Sequence, residues 1–288
     1  MKRFRFGVIA CIVSLICIAT ADAQTFTLLH RFGFKTDGQR PTGSLILGPG
    51  GAELYGTTMA GGTNGNGTIF QISPLGRESV LYRFGNAPDG SNPQATLVRG
   101  PGGTLYGTAH FGGAYGFGTV FKLEKVGNTL QETTVYSFQG GTDGAYPGSG
   151  LVWDAAGNLY GTTLEGGGTP GHGTVFKVNA TTGQETVLYA FGVSPDGEFP
   201  ARGLVRDSAG NLYGTTANGG ASNYGIVFML SANGQETILH SFTGPPDGAL
   251  PLCRTAPRCG RQSIWDNNLW GQRHQLQQLR SPGVRDRI

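Results

Sequence analysis

Cysteine is missing from residues 24–252 of this 288-residue chain; Cys11 and Cys17 lie near the start, and Cys253 and Cys259 near the end. The long middle must therefore be held by packing and not by disulfide bridges. Charge is scarce as well. Only 14% of residues are charged, the net charge is +3, and much of the positive charge lies in the first residues and after residue 253. That distribution is no footprint for nucleic acid. Beyond the first residues no segment is apolar enough to span a bilayer, and none keeps a helical period over a useful length.

The start of the chain has the form of a secretory leader. Lys2, Arg3 and Arg5 precede an apolar stretch from Val8 to Ala19, and Ala21-Asp22-Ala23 forms a small-x-small cleavage site. Cleavage before Gln24 is expected, making residues 1–23 a signal peptide. The apolar run is shorter than the roughly 20 residues of a spanning helix. A lipid anchor at Cys11 would follow an unusually short apolar segment. The mature chain is thus expected to be secreted or surface-located, with no membrane span.

Glycine is abundant, 51 of 288 residues. That density without a collagen period means either disorder or many tight turns, and ordered spacing decides for turns. Leu-Tyr-Gly-Thr begins at Leu54, Leu105, Leu159 and Leu212, at intervals of 51, 54 and 53. Asp-Gly-x-x-Pro begins at Asp37, Asp89, Asp143, Asp196 and Asp247. A Gly-Gly pair follows each Leu-Tyr-Gly-Thr, and a strand-like segment such as Thr174-Val175-Phe176-Lys177-Val178 follows each pair. In the third unit four strands are expected: Gly150 to Trp153, Asn158 to Thr163, Gly173 to Val178 and Glu185 to Phe191.

Four antiparallel strands in about 50 residues is the pattern of a propeller blade, at a repeat length like that of kelch. The expected fold is all-β, with four complete blades and an incomplete fifth over residues 24–252. A β-solenoid is the alternative. Alternating strand direction puts the Asp-Gly-x-x-Pro connections and the Gly-Gly loops on one face, and the short Gly-Asn and Gly-Gln turns on the other.

Gly-Asn-Leu-Tyr-Gly-Thr-Thr, the Gly-Gly pair, Gly-Thr-Val-Phe-Lys and Thr-Val-Leu-Tyr-x-Phe together resemble the GloVer tandem-repeat proteins, over residues 27–251. These are exported bacterial proteins whose C-terminal anchors vary. The resemblance implies surface localisation and a propeller-like fold; it supplies no reaction.

After Pro251 the pattern stops. Arg261 to Asn268 can be written CGG CAA TCT ATA TGG GAC AAC AAC, which one nucleotide later spells Gly-Asn-Leu-Tyr-Gly-Thr-Thr at the expected interval. The same shift lets Cys253 to Gly260 encode Ala-Gly-Leu-x-Arg-Asp-Ala-Ala, and Gly283 to Asp286 encode Val-Phe-Glu-Ile. A single frameshift near residues 251 to 253 accounts for all three. Residues 253–288 are then expected to be a poorly ordered tail, leaving strand edges that invite oligomerisation.

In a repeat protein the recurring residues are architectural, and a site is sought where copies differ. The five Asp of Asp-Gly-x-x-Pro are read as turn formers, not metal ligands. No metal or cofactor is expected. His30 and His240 take the strand position of Tyr82, Tyr136 and Tyr189 and are read as packing substitutes. His110 and His172, in or beside Gly-Gly loops, are read as loop residues and not as a metal or catalytic pair. The remaining departures are aromatic: Phe111, Tyr115, Phe117, His172 and Tyr224 in the Gly-Gly loops, with Tyr146 and Phe199 in the Asp-Gly-x-x-Pro loops. Rings beside amides and hydroxyls suit the flat faces of sugars or peptides.

The leading expectation is a non-catalytic module binding an extracellular glycan or protein, with no nucleic-acid partner. The alternatives are a carbohydrate-active lyase or hydrolase, for which Glu165 and Glu198 are the only non-recurring loop acids, and a truncated product without function.

Overall fold

The second strand of every unit is built on Leu-Tyr-Gly-Thr, and the computed structural model shows why that motif recurs. It describes residues 26–33, 36–200 and 202–249; the expected leader over 1–23 and the tail over 253–288 lie outside the described residues. In the third unit the second strand, Asn158–Gly166, pairs on one side with Thr174–Asn179, which in turn pairs with Glu185–Ala190. On its other side it pairs with Val152–Trp153 and with Gly144–Pro147. All pairings are antiparallel, so each unit is a four-stranded meander whose innermost strand is split in two.

The other units repeat this plan. Their second strands are Leu54–Ala60, Leu105–Ala109 and Leu212–Thr215, their third Thr68–Ile72, Thr119–Val126 and Ile226–Leu230, and their outermost Glu78–Arg83, Thr129–Ser137 and Glu236–Ser241. A bulge recurs before the same Phe of each third strand, at Ile69/Phe70, Val120/Phe121, Val175/Phe176 and Val227/Phe228. One three-residue helical turn, Pro101–Gly103, is the only helix among the described residues.

Asp-Gly-x-x-Pro is more than the expected connection. Its residues form the first half of the innermost strand: Gly144 pairs with Gly166, Ala145 with Glu165 and Pro147 with Thr163. The proline, which has no N–H to donate, ends that half.

The core lies between sheets. One cluster joins Ile69 and Phe84 of the first unit to Leu97, Leu105, Phe121 and Leu123 of the second. Two more join the second unit to the third and the third to the fourth. At each junction the Phe that closes one outermost strand meets the third-strand Phe of the next unit: Phe84 on Phe121, Phe138 on Phe176 and Phe191 on Phe228, with ring centroids 5.1, 5.0 and 5.2 Å apart. The Gly of Leu-Tyr-Gly-Thr makes room for that ring. A Cβ on Gly161 would stand 2.6 Å from Phe176 Cζ and 2.9 Å from a Leu151 methyl. The following Thr ties neighbouring units together: Thr57 Oγ1 donates to Ala95 O (3.1 Å) and Thr108 Oγ1 to Ser149 O (3.0 Å).

Innermost strands converge on a common axis. Thr42 Oγ1 donates to Gln94 O and Ser44 N to Thr96 Oγ1, 52 residues away in each case. A cavity of about 320 Å³ is lined by Ile46 and Leu47 of the first unit, Thr96 to Arg99 of the second, and Gly150 and Leu151 of the third. Planar groups on the innermost strands clamp each junction. Arg99 lies over the Tyr55 ring at 5.6 Å, Trp153 beside Tyr106 at 5.1 Å and Arg206 over Tyr160 at 5.7 Å, each reaching the preceding unit. Successive four-stranded meanders packed face to face about an axis are the blades of a β-propeller.

A trio of Tyr, Asp and Glu side chains recurs at the junctions. Tyr82, Tyr136 and Tyr189 each donate a hydroxyl to the Asp of the next Asp-Gly-x-x-Pro, all at 2.9 Å. Burial, and then these bonds, push the three phenols above their usual range. The third member is a Glu from the next blade. Burial, with Asp89 nearby, raises Glu132 to about 8; burial, with Asp143 nearby, raises Glu185 to about 7. Native chains therefore hold protons that unfolded chains release above about pH 4.3. Stability is expected to fall as pH rises from that unfolded value through 7 to 8. Thermal melts from about pH 5 to about pH 8.5 should show a declining Tm, and Glu132→Gln with Glu185→Gln should flatten the decline.

Candidate functional site

Both kinds of variable loop do emerge together. In each of the second to fourth units the second Gly of the Gly-Gly pair donates its N–H to the Asp carbonyl of the same unit's Asp-Gly-x-x-Pro: Gly113 to Asp89, Gly167 to Asp143 and Gly220 to Asp196, at 2.7 to 2.9 Å. The first Gly of the pair has a φ of +80° at Gly112 and +91° at Gly166, a backbone that other residues rarely adopt. Bonds across junctions link the loops into one rim. Tyr146 N donates to Phe117 O (2.8 Å) and Phe199 N to His172 O (2.9 Å).

The Asp carboxylates organise these turns. Asp143 Oδ2 accepts from Gln139 N at 2.8 Å and from the Tyr136 hydroxyl, while Oδ1 accepts from Gly144 N at 2.7 Å. Asp196 does the same with Gly192 N, Tyr189 and Gly197 N. His240 Nε2 stands 3.2 Å from Asp247 and His30 Nε2 3.6 Å from Asp37, so both histidines take the tyrosine's place. No group of three or more His, Cys, Asp or Glu side chains gathers as metal ligands do among the described residues.

Of the seven aromatic or imidazole candidates, three meet in one cluster. Phe111, Phe117 and Tyr146 gather with His110: Tyr146 lies 5.5 Å from Phe111, 5.8 Å from Phe117 and 5.5 Å from the His110 ring. His110 sits 4.5 Å from Phe111, edge to face, and burial lowers its pKa, so it is the neutral imidazole at pH 7. Phe111 is 41% exposed and presents its ring outward. A second pair joins His172 to Phe199 at 5.5 Å, with His172 Nδ1 2.7 Å from Gly192 O and 3.7 Å from Glu198 Oε1. Tyr115, 57% exposed, and Tyr224, which lies over Gly244, make no ring contact with either group among the described residues. Glu165 and Glu198 stand on different strand pairs, opposite Ala145 and Asn218.

Aligned by turn, Asn66, Phe117, His172 and Tyr224 hold one position. Each covers backbone one or two residues after the Phe that closes an outermost strand: Asn66 Nδ2 donates to Gly85 O, Phe117 and Tyr224 lie over Gly140 and Gly244, and His172 meets Gly192 O. The position is architectural and its residue type is free to vary.

A different position carries strain. The second x of Asp-Gly-x-x-Pro has positive φ in all four described innermost strands: Arg40 (+57°), Asn92 (+57°), Tyr146 (+59°) and Phe199 (+57°). Left-handed backbone at a non-glycine residue costs of order 1–3 kcal/mol. Glycine would remove the strain at each of these places, yet the sequence keeps four different side chains. Arg40 and Asn92 were not singled out by sequence reasoning. The signal that finds them is register, because they align with Tyr146 and Phe199 in the five-residue motif.

Comparison with curated proteins finds no similar sequence. Among solved structures, TolB from Acinetobacter baumannii is 14% identical with a TM-score of 0.46, over 72% of this chain and 45% of that one. PorZ, a bacterial surface component of the type-IX secretion system of Porphyromonas gingivalis, is 16% identical with a TM-score of 0.42, over 69% and 27%. A puromycin-hydrolyzing peptidase of Mycobacterium tuberculosis is 14% identical with a TM-score of 0.45, over 69% and 29%. The chain thus spans less than half the length of each. The pattern of the Gloeobacter/Verrucomicrobia repeat matches residues 15–129 and 76–272, which together run through the four blades formed by the described residues, and the chain belongs to that family.

Proposed function

We propose that this protein is an exported, non-catalytic recognition module whose rim of Asp-Gly-x-x-Pro and Gly-Gly loops binds a glycan. The observation that carries the reading is the row of strained positions: side chains differ from blade to blade where glycine would be cheaper, and two of them, Tyr146 and Phe199, sit in aromatic clusters. Strain held at a variable surface position points to use of the side chain. Phe111 and Tyr146, at 72° to one another, offer apolar faces beside the His110 ring. Sugar rings present such apolar faces between hydroxyls. The leader-like N-terminus and the resemblance to exported repeat proteins support a location outside the cytoplasm.

A glycan array with the purified chain tests this. Phe111→Ala, at a half-exposed ring, is expected to weaken binding about tenfold, equivalent to about 1.4 kcal/mol, with Tm within a few degrees of the parent. Phe199→Gly should likewise weaken binding without loss of stability, because relief of the left-handed strain offsets the lost ring contact. Undiminished binding by both variants would remove this face from consideration, and a blank array with capture of a purified surface protein would move the assignment to a protein ligand.

A further inference from the structure

Phe26 to Gly33 precede the first blade and form no strand of their own, yet they sit where an outermost strand belongs. Four independent features match. Phe32 packs on Phe70 at 4.7 Å, the contact that Phe84, Phe138 and Phe191 make with the next blade. His30 meets Phe32 edge to face at 4.7 Å and 78°, as Tyr82, Tyr136 and Tyr189 meet Phe84, Phe138 and Phe191. His30 faces Asp37 at 3.6 Å, and Glu78 of the first blade completes the trio. A Cβ on Gly76 would run into the Leu29 carbonyl, just as one on Gly183 would meet the Val135 carbonyl.

At the other end of the chain the counterpart is waiting. His240, Phe242 and Asp247 reproduce the junction residues of a blade that should be followed by another: His240 stands edge to face with Phe242 at 4.7 Å and beside Asp247 at 3.2 Å. The three inner strands of the fourth blade span residues 197–230, and residues 247–288, which begin at the same motif, offer a longer stretch. Read one nucleotide later, that stretch can spell the second-strand motif and the third-strand Val-Phe.

We infer that Phe26 to Gly33 is the outermost strand of a composite blade whose three inner strands are encoded after Pro251 in the shifted frame, so that the two ends of the chain meet in one sheet. In the chain as written, the hydrogen-bonding edge of this segment lacks those partners. The occupant is the protein's own downstream unit; a second copy of the chain donating a strand is the competing arrangement.

Sequencing the gene from codon 251 onward is the first test: codons 253–286 should spell the repeat one nucleotide out of frame, and codons that do not would overturn the proposal. The second compares the chain as written with the full chain carrying the single-nucleotide correction. The corrected chain is expected to be a monomer, with Tm raised by about 10 °C or more and with amides 27–31 exchanging at least about 100-fold more slowly. Removing residues 24–33 should lower the Tm of both chains, since Phe32 packs on Phe70 in each, but the corrected chain's by several degrees more because it also loses a sheet edge; Phe32→Ala, a milder change, should act in the same direction. Equal exchange of amides 27–31 in both chains, or protection found only in a dimer of the written chain, would overturn the composite blade.

Discussion

Replacing Phe176 by Ala is expected to destabilise the protein by about 3–5 kcal/mol, read as a lower midpoint in urea with an unchanged slope. The ring is fully buried and belongs to two sheets at once: it meets Phe138 of the preceding blade edge to face and lies across Gly161 of its own. Its loss opens a cavity at a junction, and the neighbouring backbone is pinned by the Asn158–Gly166 pairing and cannot collapse into it. The fit to Gly161 gives a sharper check. Gly161→Ala alone should cost about 1–3 kcal/mol, because the new methyl meets the ring. In the Phe176→Ala background the same change should be close to neutral, so a double-mutant cycle should show coupling of about 1 kcal/mol or more. Additive effects would mean that the Gly of Leu-Tyr-Gly-Thr serves backbone conformation instead of ring space.

Asp143→Ala is expected to cost about 2–4 kcal/mol, since hydrogen bonds to a charged group contribute about 1.5–3 kcal/mol and orphaned donors add to the loss. It removes the acceptors of Tyr136 Oη, Gln139 N and Gly144 N together, leaving a half-buried phenol and a turn without its brace. Asp143→Asn, which keeps an acceptor, should cost less. Two further readouts separate a turn from a metal site. A chelator should leave the melting temperature of the parent unchanged, and a chelator-induced fall would restore the metal reading. Because Asp143 is one of the groups raising Glu185, the variant should also bring that carboxyl down and weaken the decline of stability between neutral and mildly alkaline pH.

Much of the fold was legible in residues close together in the chain. Strands of the third unit were expected at Asn158 to Thr163, Gly173 to Val178 and Glu185 to Phe191, and strands lie at Asn158–Gly166, Thr174–Asn179 and Glu185–Ala190. Such segments are readable because alternation and Gly or Asn punctuation are local properties. The innermost strand was half missed. Gly144–Pro147 contains a turn signal and a proline, which locally argue for a loop; pairing with the far end of Asn158–Gly166 makes it a strand.

The candidate site divides along the same line. That copies differ at Phe111, Tyr146 and Phe199 is visible in the sequence, and so is the single face on which their loops emerge. That Phe111, Phe117 and Tyr146 gather around His110 is not, because Tyr146 belongs to the next blade and reaches the others across a junction.

Repetition, strand content, turn chemistry and the pairing of one loop type with another follow from the amino-acid order alone, since each depends on neighbours a few residues apart. Tertiary structure alone decided which side chains meet between blades, and that Arg40, Asn92, Tyr146 and Phe199 share one strained backbone. Those contacts join residues tens of positions apart, and packing against the next sheet selects them, a choice that no local pattern encodes.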